Sequence, residues 1–315
     1  MANPKTGGAK PSTPFYRQQG FHLFLMLLPF LILIFLLNYL PLRGWFFTLF
    51  NYKPGVPLSS DNFVGLENFR KLIANEYQMK QLGQVLKNTF GISGLSVLAL
   101  PLPMFFAILL SELRFSPFKK AVQTLTTIPN FISWVLVYTA AYSAFSVGDG
   151  FVNRLLVSLG ITETGIAFMA SPDHVWLTMI GYYLWKSLGW SAIMYFASMA
   201  GIDQELYEAA DVDGAGRFAR IRYITIPSLL PTLFVMFVIN IANFVNYGME
   251  QPYVFQNIMN RDTIQTLDLF VYNQGIAGRN YANSIIVGML KSFVSLALLF
   301  GANSLSKLVR KESVF

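Results

Sequence analysis

The sequence predicts an all-α integral membrane protein that crosses the bilayer six times. Three observations carry this expectation. Of its 315 residues, 54% are apolar and only 12% charged, with a mean hydropathy of +0.48. Soluble domains carry about a quarter charged residues. Six apolar stretches, at 21–41, 84–111, 121–146, 176–199, 226–247 and 282–306, reach the ~20 residues that a helix needs to cross about 30 Å of hydrocarbon. They are long runs of Leu, Ile and Phe without the polar–apolar alternation of a barrel strand, so helices must satisfy their backbone groups in lipid.

The elements follow in order. Residues 1–20 are rich in Pro, Gly and Lys and are predicted to form a flexible tail. The stretch at 21–41 is too long for a signal-peptide core, and no small-residue cleavage site follows it, so it is expected to remain as a span. Residues 42–80 form an outer loop. Within it Leu66, Phe69, Leu72 and Ile73 recur at helical spacing with Asn62 as a candidate cap, which predicts a helix lying on the membrane surface. Pro101 and Pro103 in the second span and Pro129 in the third predict kinks, because proline breaks the ladder and frees carbonyls that neighbours must satisfy. Residues 147–173 and 248–281 are the other outer loops, and 307–315 is a short basic tail. The membrane domain therefore runs over 21–306.

Charge sets the orientation. With the N-terminus inside, the inner segments carry Lys5, Lys10, Arg17, Arg114, Lys119, Lys120, Arg217, Arg220, Arg222, Lys307, Arg310 and Lys311, twelve cations against eight outside. Each inner segment is short and holds three, while acids such as Asp61, Glu67, Asp149 and Asp268 nearly balance the outer ones. Both termini and the segment 203–225 are thus expected in the cytoplasm.

Several chemistries are excluded. With no cysteine there is no disulfide, thiolate metal site or cysteine nucleophile. His22 and His174 sit near span ends and read as interfacial residues. The net charge of +7 is scattered among spans with no basic domain, which argues against nucleic acid. The chain lacks G-x-x-x-x-G-K-[ST], H-E-x-x-H and G-x-S-x-G, so it is expected to be no enzyme and to hold no nucleotide or metal of its own. An ion-coupled secondary transporter is the alternative, but no inverted repeat and no mid-span acid supports it.

The segment 203–231 is the most specific. Asp203 can cap a short helix. Leu206, Ala209 and Ala210 give that helix a small apolar face, and Glu205, Glu208 and Asp211 an acidic one. Gly214 stands where the chain must reverse. Arg217, Arg220 and Arg222 are expected to face lipid headgroups, and Pro227 opens the next span where proline costs least. The run Glu208-Ala209-Ala210-Asp211-Val212-Asp213-Gly214-Ala215, followed by Phe218, Ile224, Pro227 and Pro231, resembles the EAA loop of bacterial ABC-importer permeases. Phe63-Val64-Gly65-Leu66-Glu67-Asn68-Phe69, Asn88-Thr89 and Trp185-Lys186-x-x-Gly189 extend the likeness over nearly the whole chain. It looks most similar to permeases of the maltose-transporter type, in particular those importing polysaccharide fragments and acidic oligosaccharides such as alginate or aldouronate. Ile226 departs from the leucine usual in the family.

That resemblance implies a type I ABC importer permease fold with a cytoplasmic coupling helix. It places Glu208, Ala209, Ala210, Asp213, Gly214 and Ala215 at the contact with the ATPase. It also implies a second homologous permease, two ATPase subunits that bind ATP and Mg, a substrate-binding protein, an oligosaccharide substrate moved by alternating access, and the bacterial inner membrane. From the residues themselves, Asn240, Asn243, Asn246 and Tyr247 fall within roughly a 120° arc of the fifth span at about 100° per residue. Tyr182, Lys186 and Trp190 are spaced i, i+4, i+8 on the fourth, with Tyr183 adjacent. Amides and aromatic rings suit a sugar path. The other reading has the asparagines bonding helix to helix and Lys186 paired with a local carbonyl or carboxylate. Lys291, Trp134 and Tyr138 are further candidates for the path.

Overall fold

A computed structural model describes residues 19–310, so residues 1–18 and 311–315, most of the two expected tails, lie outside the described residues. The regular structure within that range is helical, with a single isolated bridge between Phe50 and Phe63. Four helical stretches are long and apolar enough to span a membrane: Gly20–Leu49, Glu76–Ser111, Arg217–Ala242 and Tyr281–Ser304. The other two expected spans are occupied by a 26-residue helix and by a broken pair of shorter ones.

Helix α1 (Gln19–Ile34) runs on through a π turn, Phe35–Tyr39, and a 3-10 segment, Leu40–Leu49. The span thus continues past Pro41, which sits in the first turn of the 3-10 segment, where a missing N–H is tolerated. None of its most apolar window is buried. Helix α2 (Glu67–Ala74) corrects the expectation of a helix lying free on the surface. Leu72 is buried with Phe69 packed beside it, and Asn68 donates to the carbonyls of Thr48 at 2.8 Å and Phe50 at 3.0 Å. Asn62 does not cap it. Its carboxamide oxygen accepts the Ser59 N–H at 3.0 Å and closes a separate turn at Ser60–Asn62.

Helices α3 (Glu76–Leu98) and α4 (Pro101–Ser111) form the second span with a bend at the prolines. The third is broken at Pro129 into α5 (Ser116–Thr127), a 3-10 turn (Ile128–Phe131) and α6 (Trp134–Phe145). After α7 (Phe151–Ser158) comes α8 (Val175–Ala200), which packs against α3, α4, α5 and α11 (Ile226–Ala242). Between α8 and α11 lie α9 (Gln204–Val212), α10 (Arg217–Arg220) and a π turn, Ile221–Thr225.

The expected outer loop 248–281 is instead largely folded and partly core. It forms α12 (Glu250–Phe255), α13 (Arg261–Ile264), α14 (Leu267–Tyr272) and a π turn before α15 (Tyr281–Arg310). Phe255, Ile264, Leu267, Leu269 and Phe270 are all buried. Fully buried Asn88 reaches across to donate to the carbonyls of Asp262 at 2.8 Å and Gln265 at 3.1 Å, while Thr89 Oγ1 accepts the Leu267 N–H at 2.8 Å. Side chains of α3 thus satisfy backbone groups that the irregular segment cannot satisfy itself.

The break at Pro129 is closed in the same way. Lys186 Nζ donates to the carbonyls of Asn130 at 2.6 Å and Pro129 at 3.2 Å and lies 5.6 Å from the centroid of the Trp134 ring. Lys186→Met keeps the length and removes the donors, so the Asn130 carbonyl loses the ammonium and the Pro129 carbonyl keeps only the Ile132 N–H at 3.1 Å. We expect stability to fall by about 1–3 kcal/mol, read as a lower thermal midpoint of the purified protein; an unchanged midpoint would refute the bracing role.

Close packing brings α5 and α8 together at Gly189. A Cβ there would stand 2.3 Å from the carbonyl oxygen of Thr126, whereas one at Gly181, two turns earlier, would meet nothing within 4 Å. Gly189→Ala should therefore cost about 1–3 kcal/mol as overpacking does, and Gly181→Ala should be neutral or mildly stabilising. Equal thermal midpoints for the two variants would contradict this packing.

Candidate functional site

Two regions were singled out in the sequence, the loop 203–225 and a polar path between spans. In the loop, the Asp203 carboxylate accepts the Glu205 N–H at 3.0 Å and so caps α9. The helix ends in a Schellman motif: Ala215 N–H donates to Ala210 O at 2.8 Å and Gly214 N–H to Asp211 O at 3.1 Å. This geometry requires the left-handed backbone of Gly214, φ +74°. Glu208, Ala209 and Asp213 are exposed, Ala210 and Ala215 half-buried, and no residue of α9 is buried. Val212 and Phe218 are each 89% exposed and stand on either side of the Gly214 reversal.

Two further bonds brace this loop. The Tyr207 and Thr225 hydroxyls lie 2.9 Å apart, and Arg220 donates to the Asp211 carboxylate at 2.5 Å. Arg220 was expected at lipid headgroups; its guanidinium is instead committed to Asp211, nine residues earlier, because the Gly214 reversal folds α10 back beside α9.

The polar path is rearranged relative to expectation. Helix α11 ends at Ala242, not at Tyr247, because Asn243 to Tyr247 form a turn in which Asn246 N–H donates to Asn243 O at 2.8 Å. Even so, Asn240, Asn243, Asn246 and Tyr247 come together around one cavity of about 130 Å³, completed by Ser93, Ser96 and Val97 of α3 and by Tyr183 of α8. Asn240 and Asn243 donate to the carbonyls of Met236 and Ile239, four residues earlier, and Asn246 bridges to Ser295 Oγ on α15 at 3.1 Å. Asn246 alone thus reaches another helix, Asn240 and Asn243 bond back to their own, and all three line the cavity.

The stripe Tyr182, Lys186 and Trp190 does not reach this cavity. Tyr182 packs on Phe255 with centroids 5.0 Å apart, Lys186 is spent on the carbonyls at Pro129, and Trp190 meets Phe131 edge-on at 5.6 Å. One position along, Tyr183 is the residue of α8 that lines the cavity. The stripe was chosen by its i, i+4, i+8 spacing, and periodicity alone cannot tell which face of an all-round apolar helix meets water.

A second cavity, of about 590 Å³, adjoins the first through Tyr183 and Tyr247, which line both. It is walled by Trp134, Glu250, Gln251, Asp268 and Tyr272. Asp268 forms an ion pair with Lys291 of α15, and its other oxygen accepts the Gly248 N–H at 2.8 Å. Sequence reading assigned Asp268 to an outer loop and Lys291 to the path. Their pairing was hidden because 23 residues separate them. Among the described residues, no three His, Cys, Asp or Glu side chains cluster to hold a metal.

Comparison with known proteins agrees with this architecture. A family model described as binding-protein-dependent transport system inner membrane component matches residues 99–311. Protein LplB of Bacillus subtilis (strain 168) is 35% identical over 93% of this chain and 91% of its own length. The polygalacturonan/rhamnogalacturonan transport system permease protein YteP of the same organism is 33% identical over 93% of this chain and 90% of its own. Among solved structures, a chain of a bacterial alginate ABC transporter, crystallised with an alginate pentasaccharide-bound periplasmic protein, superposes with a TM-score of 0.82. It is 29% identical and covers 93% of this chain and 96% of its own. On these grounds the chain belongs to the family of inner membrane components of binding-protein-dependent transport systems and has the type I permease fold.

Proposed function

We propose that this chain is the permease subunit of an ATP-driven importer that passes an oligosaccharide from an outer binding protein into the cytoplasm by alternating access. The observation that carries the reading is α9: a capped, Gly-terminated and braced helix, with no buried residue, inserted between two membrane helices of an otherwise apolar chain. A rigid exposed helix with apolar Val212 and Phe218 beside it is suited to a protein groove. Glu208, Ala209, Ala210, Asp213, Gly214 and Ala215 form the contact with the ATPase in this reading. A pair of ATPase subunits binds ATP and Mg, and a second homologous permease completes the path. Relatives that are named for polygalacturonan and rhamnogalacturonan or crystallised with alginate support an oligosaccharide substrate of polysaccharide origin. On this chain the sugar contacts are Asn240, Asn243, Asn246, Tyr247 and Tyr183. The ion-coupled alternative has no observation in its favour, since Asp268 is already paired with Lys291.

Gly214→Leu forces a branched side chain into a left-handed backbone, at about 1–2 kcal/mol, and opens the Schellman turn. The expected result is membrane insertion as in the parent but loss of ATPase capture and of binding-protein-stimulated ATP hydrolysis. Full capture and stimulation would defeat the assignment of α9.

The inner membrane placement with both termini in the cytoplasm is tested on a chain that has no native cysteine. Ser60→Cys and Ile258→Cys, at exposed outer positions, should react with an impermeant thiol reagent in intact cells. Ser116→Cys and Phe218→Cys should react only after permeabilisation. Outside labelling of Phe218→Cys would reverse the topology.

A further inference from the structure

The cavity of about 590 Å³ falls in the ~300–1,000 Å³ range of small-ligand sites, yet nothing above assigns it an occupant. Three of its walls are aromatic residues able to lie against the C–H face of a sugar, Trp134, Tyr183 and Tyr272, with Tyr247 shared with the smaller cavity. Its ionisable lining is acidic, Glu250 and Asp268.

The cations nearby are already committed. Lys291 pairs with Asp268, whose second oxygen is taken by the Gly248 N–H. Lys186 donates to the carbonyls of Pro129 and Asn130. Glu250 itself has no ion pair within 4.0 Å among the described residues and is exposed at the start of α12. The wall therefore offers one unspent carboxylate and no unspent ammonium or guanidinium. A carboxylate accepts strong hydrogen bonds from hydroxyls and repels another carboxylate.

We propose that this vestibule is a second saccharide subsite, leading through Tyr183 and Tyr247 to the asparagine-lined cavity, and that it takes an uncharged sugar unit. Glu250 accepts from the hydroxyls of that unit and disfavours a uronate in the same place. Any uronate carboxylate of a mixed oligosaccharide is then held elsewhere along the path. The proposal rests on the importer reading and narrows the substrate class for this chain's wall of the path.

The test uses the assembled importer in lipid nanodiscs, without the binding protein, so that the permease alone selects. Saturation-transfer NMR and equilibrium titration compare xylotetraose, a neutral probe, with tetragalacturonate, an acidic one of equal length. Xylotetraose should bind about tenfold tighter, Glu250→Gln should cut that ratio at least about threefold, and Glu250→Lys should invert it. Glu250→Asp, which keeps the charge, should retain the preference. Equal binding of the two probes, a ratio unmoved by Glu250→Gln, or no binding of either would overturn the proposal. Failure of the importer reading itself would be seen separately, as ATP hydrolysis that does not respond to added binding protein.

Discussion

A backbone carbonyl in the membrane has no water to turn to, and the arrangement of this chain depends on how that constraint is met at Pro129. Helix α5 ends at Thr127, and in the turn that follows the Pro129 carbonyl accepts the Ile132 N–H at 3.1 Å. From α8, Lys186 adds a second donor to that carbonyl and supplies one to the Asn130 carbonyl. An ammonium at that depth costs about 2.5–3.5 kcal/mol on insertion scales; two hydrogen bonds and the face of Trp134 offset much of it. The bond also fixes where α8 lies against the break. Gly189, one turn below Lys186, then lets α8 meet the backbone of Thr126.

The same constraint explains why the segment 248–281 was misread as a loop. Its Asn, Gln and Gly content is that of a surface connection, and its apolar residues are spread over three helices of four to six residues. No window of that length carries a period. What holds it is remote: Asn88 and Thr89 on α3, and Gln251, which donates to Met179 O at 2.8 Å. Asn88-Thr89 was legible as a family likeness, but its physical purpose becomes visible only with the partner carbonyls in place.

Elsewhere the residues were more readable. The cap by Asp203, the positive φ at Gly214 and the kinks at the prolines follow from single-residue stereochemistry, which needs no knowledge of neighbours. That Asn240, Asn243 and Asn246 lie together was also legible from their spacing, although only Asn240 proves to be within α11 and the other two sit in the turn that follows it. Facing relations were not. Whether Tyr182 or Tyr183 looks into the asparagine-lined cavity turns on a rotation of about 100°, and α8 is apolar nearly all round. Long-range charge pairing such as Lys291–Asp268 is likewise absent from any local pattern.

The braces of α9 have a mechanical consequence. Tyr207 meets Thr225, and Asp211 holds Arg220, so α9 is clamped to the near end of the continuous helical stretch Arg217–Ala242. At 1.5 Å per residue, the distance from Arg217 to Asn240 along that rod is about 35 Å. A tilt imposed on α9 is therefore inherited by a lever whose far end carries Asn240, in the wall of the cavity of about 130 Å³. Its compliant points are the π turn at Ile221–Thr225 and Pro231. Because the same rod is loaded from either end, any occupant of that cavity that shifts Asn240 presses back on α9 with the same coupling free energy.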